Sequence, residues 1–226
     1  MDRLTINIKK KLTGFQGEFN LDINENLPKG SFIGIFGSSG SGKSTFLDIL
    51  SGLLAPDEGY ISCDSEIWFS KNKKLTTSQR KIGYVFQENV LLDHFTVYEN
   101  LKFALTHKNQ TKFLEKLIND FDLKNLLQLN PNQLSGGQKQ LVCLIRAIVR
   151  KPKILLLDEP LSSVDYELRK ELQNLILKIH NDLKLTCIMV SHDPNELKYM
   201  TDHIWKMKAG KIIEKGDANH MLGEFI

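Results

Sequence analysis

The segment GSSGSGKS, at positions 37–44, has the clearest potential for chemistry in this chain. It fits the pattern G-x-x-x-x-G-K-[ST], in which glycines let the backbone turn its N–H groups toward phosphate oxygens. Lys43 can then reach the β and γ phosphates of a nucleotide, and Ser44 can ligate Mg²⁺. The predicted phosphate cradle comprises Gly37, Ser38, Ser39, Gly40, Ser41, Gly42, Lys43, Ser44 and Thr45.

The sequence around this segment distinguishes a phosphate site from a flexible glycine-serine loop. The short apolar strand pattern SFIGIF runs directly into it, and KSTFLDILSGL follows with apolar residues at helical spacing. A phosphate-binding loop needs that order because the helix N-terminus adds the positive end of its dipole to the loop's N–H groups. We therefore interpret the segment as a phosphate site.

A pair of carboxylates follows a second apolar strand pattern, KILLLDEP. Open α/β sheets bind ligands at the carboxyl ends of their strands, so Asp158 is placed to hold a Mg²⁺ shell. Glu159, beside it, can polarise an attacking water. In isolation such a pair could also be a plain exit from strand to turn. Beside a complete phosphate loop, we favour the roles in metal binding and water activation.

A second Ser-Gly-Gly turn, QLSGGQKQ, spans residues 133–140 and has no lysine to complete a phosphate site. It opens a helical pattern, so Ser135 and the N–H groups of Gly136 and Gly137 predict an anion-facing helix N-terminus. A helix N-cap alone would explain Ser135. It would not explain two glycines, because glycine lowers helix stability.

The elements that carry these motifs alternate between strand and helix patterns. Alternating apolar residues predict half-buried strands around residues 4–8 and 19–23, and longer apolar runs predict buried parallel strands near 153–158 and 186–191. Residues 89–151 carry helical spacing throughout. A further helix is predicted at about 167–183, burying Leu168, Leu172, Leu175, Ile176 and Ile179. The order predicts an α/β fold whose parallel sheet is interrupted by a helical lobe.

Composition restricts the classes of partner and compartment. A formal net charge of +3 without a basic stripe argues against nucleic acid. We interpret the lysine runs at residues 9–11 and 71–74 as solvated turns. Three scattered cysteines match neither zinc nor disulfide spacing, which favours a reducing, cytoplasmic setting. No charge-free apolar run approaches the roughly 18 residues that span a bilayer, so any membrane process would need another chain.

Six motifs in one consistent order resemble the ATP-binding subunits of ABC transporters. They are the P-loop GSSGSGKS, the glutamine of VFQE, LSGGQ, ILLLDEP, LSSVD and the histidine of VSHD. The resemblance implies one domain over residues 1–226, with a P-loop NTPase (RecA-like) parallel core in residues 1–88 and 152–226. A small antiparallel β subdomain belongs to that core, and an α-helical subdomain is inserted at residues 89–151. We expect no C-terminal regulatory domain.

The resemblance also implies roles for single residues, with ATP and Mg²⁺ as ligands. Gln87 would reach the metal and the water, and His192 would contact the γ-phosphate beside Lys43. Glu159 would be the general base, and Asp158 and Ser44 would bind the metal. A further candidate is Phe15, which would stack on the adenine, although packing on the small antiparallel sheet is an alternative for it.

In ABC ATPases two subunits pack head to tail, and this arrangement would explain the second turn. Its residues would close over the γ-phosphate that the other subunit's P-loop holds, and Asp165 would lie in the loop that crosses the interface. The residues implied in this cap are Ser135, Gly136, Gly137 and Gln138.

The expected partners are a second ABC subunit, identical or paired, and a transmembrane permease that docks on the helical lobe. A periplasmic or surface substrate-binding protein would complete the system. This chain would lie on the cytoplasmic face of the cell membrane. This chain looks most like the ATPases of molybdate importers in its P-loop region and in the segment RKIGYVFQ. The alternatives that stay open are the ATPase of an ABC exporter or of another importer and, less favoured, a soluble ABC ATPase that acts on nucleic acid or ribosomes.

Overall fold

The computed structural model describes residues 3–14, 17–88, 90–107, 110–162 and 164–222. These residues contain one eleven-stranded sheet. Its strands, in chain order, are β1 (Arg3–Gly14), β2 (Gly17–Pro28), β3 (Phe32–Phe36), β4 (Glu58–Cys63), β5 (Glu66–Ser70), β6 (Lys73–Lys74), β7 (Ile82–Val85), β8 (Ile154–Asp158), β9 (Thr186–Val190), β10 (His203–Lys208) and β11 (Lys211–Asp217). The helices are α1 (Lys43–Ser51), α2 (Val97–Phe103), α3 (Thr111–Asp120), α4 (Gly136–Ile148), α5 (Tyr166–Leu183), α6 (Pro194–Met200) and α7 (Ala218–Leu222).

The sheet has a parallel half and an antiparallel half. Across the sheet the strands follow the order β6-β5-β4-β1-β2-β11-β10-β3-β9-β8-β7. Strands β7, β8, β9, β3 and β10 run parallel, whereas β1 pairs antiparallel with both β2 and β4, and β4 with β5. The predicted parallel core with an antiparallel β part is therefore confirmed.

Side chains of the central strands alternate between two hydrophobic cores. On β8, Leu155 and Leu157 join the core that includes α4, α5 and α6, whereas Ile154 and Leu156 join the core that includes α1. Successive residues of a strand point to opposite faces of the sheet, and here both faces are covered by helices. This two-sided burial explains why the sequence shows an unbroken apolar run at β8 rather than an alternating one.

The described residues between β7 and β8 form helices α2, α3 and α4, as their spacing predicts. Helix α2 ends at Phe103, several residues before the end of the helical pattern. The apolar residues of this segment share one hydrophobic core with a face of the sheet, so the subdomain boundaries at 88/89 and 151/152 stay a prediction. Within the described ranges, every helix is too short or too polar to span a bilayer.

The lysine run at residues 9–11 lies inside β1, so its interpretation as a turn was wrong. The three residues pair across the strand with residues 20–22 of β2, and the length of this ladder outweighs the local charge. The Lys10 Nζ lies 2.6 Å from Asp57 Oδ1, and the Lys11 Nζ lies 2.7 Å from Glu18 Oε2. Lys73 and Lys74, from the second run, form the edge strand β6.

A buried arginine closes the C-terminus of α1. Arg80 is 1% exposed, and its Nη1 donates to the carbonyl oxygens of Ile49 at 2.7 Å and Leu50 at 2.8 Å. The guanidinium also lies over Trp68, with Cζ 5.9 Å from the ring centroid. Burial lowers the pKa of Arg80 to about 10, so it is charged at neutral pH and complements the negative end of the helix dipole.

Gly52 ends α1 in the left-handed conformation, with φ 86°, and an added Cβ would lie 2.8 Å from Arg80 Nε. We expect Gly52→Ala to lower the free energy of unfolding by about 2–4 kcal/mol, through backbone strain and displacement of Arg80. Gly30→Ala is a matched control, because Gly30 has φ 76° and the nearest atom to its Cβ is 3.9 Å away. In urea unfolding, Gly30→Ala should lower the free energy of unfolding by the backbone strain alone, about 1–2 kcal/mol. Equal losses in both variants would contradict a steric role for Arg80.

Candidate functional site

The P-loop lies between β3 and α1, where its backbone is held on both sides. Gly42 is the N-cap of α1 and has φ 99°, a conformation that favours glycine. At Gly37 a Cβ would lie 2.2 Å from the carbonyl oxygen of Met207 on β10, so a side chain has no room there. The loop is therefore a turn with a defined shape rather than a flexible linker.

Lys43 opens α1 and turns back over the loop. Its Nζ donates to the carbonyl oxygens of Gly37 at 2.7 Å and Ser38 at 2.9 Å, and the residue is buried. Burial lowers the pKa of Lys43, while the negative charges of Glu159 and Asp158 oppose that shift. An ammonium group has three N–H donors, so one remains for a ligand oxygen in the cleft.

Ser44 and Asp158 join the P-loop helix to the end of β8. The Ser44 Oγ donates to Asp158 Oδ1 at 3.2 Å, and Asp158 is 5% exposed. Burial raises the pKa of Asp158, and the nearby charges of Glu159 and Asp48 add to that shift. Behind this pair, the Tyr84 hydroxyl donates to Asp48 Oδ1 at 3.1 Å. The result is a group of oxygen donors at the carboxyl edge of the parallel strands.

Glu159 follows β8 and meets His192, which follows β9. The Glu159 Oε2 lies 2.7 Å from His192 Nδ1, with the glutamate side chain 13% exposed and the histidine 71% exposed. Glu159 has φ 47°, an uncommon backbone conformation for a residue with a side chain. Such strain at a residue in a cleft is typical of functional positions.

Most of the predicted groups line one cleft with a volume of about 480 Å³. Its lining includes residues from four segments far apart in the sequence: Lys43 and Ser44, Gln87, Glu159, and His192. Gln87 lies just beyond β7, and the other residues lie just beyond or at the ends of β3, β8 and β9. The structure therefore brings together the P-loop, the glutamine, the glutamate and the histidine that the sequence indicated.

The cleft also includes residues that the motifs did not indicate, namely Leu12, Thr13, Phe19 and Val190. Leu12 and Phe19 are directly opposite each other on β1 and β2 and form an apolar wall. The ring of Phe19 comes close to Gly42, since a Cβ there would lie 3.7 Å from Phe19 Cε2. Only the alternation of apolar residues in β2 marked Phe19 in the sequence. Phe15 lies outside the described residues.

Several predicted site residues do not line this cleft. They are Ser38, Ser41, Asp158, Ser135, Gly136, Gly137, Gln138 and Asp165. Ser38 and Asp158 still contact cleft residues, through Lys43 and Ser44 respectively. The Ser41 Oγ is buried and has no hydrogen-bond partner among the described residues.

The LSGGQ turn begins α4 and is separate from the cleft. Ser135 is the N-cap: its Oγ accepts from the backbone N–H of Gln138 at 3.2 Å, and Gln138 Oε1 accepts from the N–H of Ser135 at 2.9 Å. Ser135 and Gly136 are exposed, whereas Gly137 is buried against α5. A Cβ on Gly137 would lie 1.7 Å from Leu168 Cδ2. Close packing of two helices therefore accounts for the second glycine.

The N-terminus of α5 lies beside the LSGGQ turn, because Leu168 of α5 packs against Gly137. Asp165 is its N-cap, and its Oδ1 accepts from the N–H of Leu168 at 3.1 Å. The motifs LSGGQ and LSSVD, which are separated in sequence, thus begin two adjacent helices. Their exposed residues are not directed into the cleft of the same chain.

Comparison with known proteins places this chain among ATP-binding proteins of transporters. A family model described as "ABC transporter" matches residues 21–162. The molybdenum import ATP-binding protein ModC of Photobacterium profundum is 37% identical over 222 residues, covering 97% of this chain and 61% of the relative. A probable sulfate/thiosulfate import ATP-binding protein CysA of Chlorella vulgaris is 38% identical over 229 residues, covering 98% and 93%. The chain thus spans about three fifths of that ModC relative.

Solved structures agree with this placement. A bacterial ABC transporter cassette in dimeric form matches with a TM-score of 0.80 and 28% identity, covering 96% of this chain and 99% of the cassette. The same cassette is known in a dimeric post-hydrolysis state bound to ADP and Pi, with a TM-score of 0.78. The cbiO1 protein of Clostridium perfringens, part of the ABC transporter complex cbiONQ, matches with a TM-score of 0.83 and 25% identity, covering 99% and 91%. This chain belongs to the ABC transporter family and contains its ATP-binding domain.

Proposed function

We propose that this chain binds and hydrolyses ATP as a subunit of an ABC importer for molybdate or a related oxyanion. One observation carries the ATPase proposal: the P-loop, Gln87, Glu159 and His192 line a single cleft, although they are far apart in the sequence. Each group in that cleft has a task in phosphoryl transfer.

The phosphates lie against the P-loop backbone and the positive end of α1. Lys43 keeps its ammonium at the mouth of the loop through Gly37 and Ser38, with one donor left for a phosphate oxygen. Because burial disfavours the charge of Lys43, an anionic phosphate beside it restores a favourable environment.

The oxygen donors at the end of β8 fit Mg²⁺. Ser44 Oγ and Asp158 Oδ1 are 3.2 Å apart, and the side chain of Gln87 lines the same cleft. In nucleotide sites Mg²⁺ is held by few protein oxygens together with the phosphates, rather than by a complete protein cage. Bound there, the ion would neutralise charge on the phosphates.

Glu159 is the general base. Its carboxylate accepts a proton from water as the water oxygen bonds to the γ-phosphorus and the bond to the β–γ bridging oxygen breaks. His192, 2.7 Å from Glu159 Oε2, holds this carboxylate in place and contacts the γ-phosphate. Gln87, just beyond the end of the neighbouring parallel strand β7, orients the water.

A second copy, or a paired ABC subunit, completes the site. Ser135 and Gly136 of the LSGGQ turn are exposed and do not line their own chain's cleft, so in this proposal they cover a nucleotide held by another subunit. In that arrangement Ser135, Gly136 and Gln138 close over the γ-phosphate, while Asp165 crosses the interface. Closure with ATP and opening after hydrolysis then drive the membrane partner.

The nucleoside lies against the apolar wall of Leu12 and Phe19. These side chains face each other across β1 and β2 at the cleft, whereas the predicted stacking residue Phe15 follows the end of β1. An aromatic ring and an aliphatic side chain suit the faces of a purine. Phe19 is therefore our candidate for adenine contact, with Phe15 as the alternative.

The partners follow from the same proposal. A transmembrane permease docks on the helical subdomain at residues 89–151, and a periplasmic or surface substrate-binding protein delivers the cargo. The chain then lies on the cytoplasmic face of the membrane. Similar identities to ModC and CysA, 37% and 38%, support oxyanions as the cargo class without separating molybdate from sulfate.

Glu159→Gln should leave ATP binding intact and abolish turnover, because the amide cannot accept the proton. The expected loss in kcat is at least about a hundredfold, the lower end of what a general base contributes. With ATP present, the variant should elute as a dimer in size-exclusion chromatography. Parental turnover by this variant would contradict the assignment of the base.

Phe19→Ala should raise KM for ATP about five- to thirtyfold, the effect of losing about 1–2 kcal/mol of base stacking, with kcat nearly unchanged. The same change at Phe15 provides the direct comparison. If Phe15→Ala raises KM and Phe19→Ala does not, the adenine contact belongs to Phe15.

The cargo is tested with the chain reconstituted in liposomes together with its own permease and binding protein. We expect ATP-dependent uptake of molybdate, in competition with a labelled sulfate control. Uptake of sulfate without molybdate would identify sulfate as the cargo. Failure to transport either anion, with ATP turnover intact, would contradict oxyanion import but not the ATPase.

A further inference from the structure

Arg169, on the first turns of α5, connects two loops that flank the cleft. Its Nη2 donates to the carbonyl oxygen of Val164 at 3.3 Å, and its Nη1 lies 3.5 Å from Asp193 Oδ2. The first partner belongs to LSSVD and the second directly follows His192. One guanidinium therefore holds residues from both segments.

The LSSVD side of this contact is firmly packed. Val164 is buried, and its neighbour Asp165 caps α5 through the N–H of Leu168. Leu168 in turn fills the space beside Gly137 in the LSGGQ turn. This segment is therefore packed and hydrogen-bonded against the start of α5, where Arg169 lies.

The His192 side is also held by hydrogen bonds. Asp193 Oδ1 accepts from the N–H of Asn195 at 2.9 Å, and the Asp193 N–H donates to Ser191 Oγ at 3.1 Å. The Ser191 hydroxyl donates to the buried Glu196 at 2.5 Å. His192 lies between Ser191 and Asp193, so these hydrogen bonds hold both neighbours of the residue whose imidazole meets Glu159.

We propose that Arg169 is a positioning residue that couples the LSSVD interface loop to His192 and, through it, to Glu159. This inference rests on the proposed function, in which LSSVD meets a second subunit and Glu159 activates water. Arg169 then makes the geometry of the base depend on subunit contact, so that hydrolysis is fastest in the closed pair.

The guanidinium suits this task better than an ammonium group would. Its planar fork presents separate N–H groups to Val164 and Asp193 at the same time. The Arg169 Nε is buried and has no hydrogen-bond partner among the described residues, so the two contacts at the other nitrogens orient the group. A lysine has one charged nitrogen and cannot reproduce both contacts in that geometry.

Arg169→Met keeps the aliphatic length and removes both contacts. We expect kcat for ATP to fall about tenfold, with KM changed less than about twofold, because the base is misplaced while the P-loop is intact. Arg169→Lys should give an intermediate kcat. Lys170→Met, at the exposed next position, is the matched control for the loss of one positive charge, and its kcat should equal the parental value.

A double-mutant cycle separates coupling from general destabilisation. Asp193→Asn keeps an N-cap for α6 and removes the charge that Arg169 contacts. If Arg169 acts through Asp193, adding Arg169→Met to Asp193→Asn should lower kcat by less than about twofold further. If the kcat losses of Arg169→Met and Asp193→Asn instead multiply in the double variant, the proposal is overturned. It is also overturned if Arg169→Met lowers the melting temperature but keeps the parental kcat per folded molecule. A parental chain without ATP turnover would instead contradict the proposed function.

Discussion

The register of four parallel strands determines where the site lies. Val190 on β9 is level with Ile35 on β3 and with Asp158 on β8, and Leu157 is level with Val85 on β7. Strand ends aligned in this way bring the four following loops to one edge of the sheet. The P-loop, Gln87, Glu159 and His192 each belong to one of those loops. A slip of one residue in any pairing would invert the side chains of that strand and separate these groups.

Burial at this edge gives the site its electrostatic character. It lowers the pKa of Lys43 and raises the pKa of Asp158, so the interior disfavours the charged form of both groups. An anionic phosphate at Lys43 and a cation at Asp158 would each relieve that cost. This burial therefore favours a ligand that carries both charges, which the proposed nucleotide with Mg²⁺ would supply. Arg80 has a complementary role at the other end of α1, where it stabilises the last carbonyls of the helix.

Much of this arrangement could be predicted from local patterns, because the chemistry there depends on residues close in sequence. The P-loop between a strand and a helix is one example, and the apolar run before Asp158 is another. Phe19 could not be identified, because its place in the cleft depends on its pairing with Leu12 across β1 and β2. The lysines at residues 9–11 were misassigned for the same reason, since a long antiparallel ladder outweighs local charge. Arg169 belongs to none of the sequence motifs, and only the folded chain brings its partners Val164 and Asp193 together.

The proposed ATPase depends on a site divided between two chains. Its most direct test is the ATP turnover of two variants, Lys43→Ala and Ser135→Arg, measured separately and as an equimolar mixture. Each variant alone breaks both sites of a head-to-tail pair, whereas a mixed pair retains one site with an intact P-loop and an intact LSGGQ turn. We predict turnover in the mixture that neither variant shows alone. Parental turnover by Ser135→Arg on its own, with no gain on mixing, would contradict a shared site.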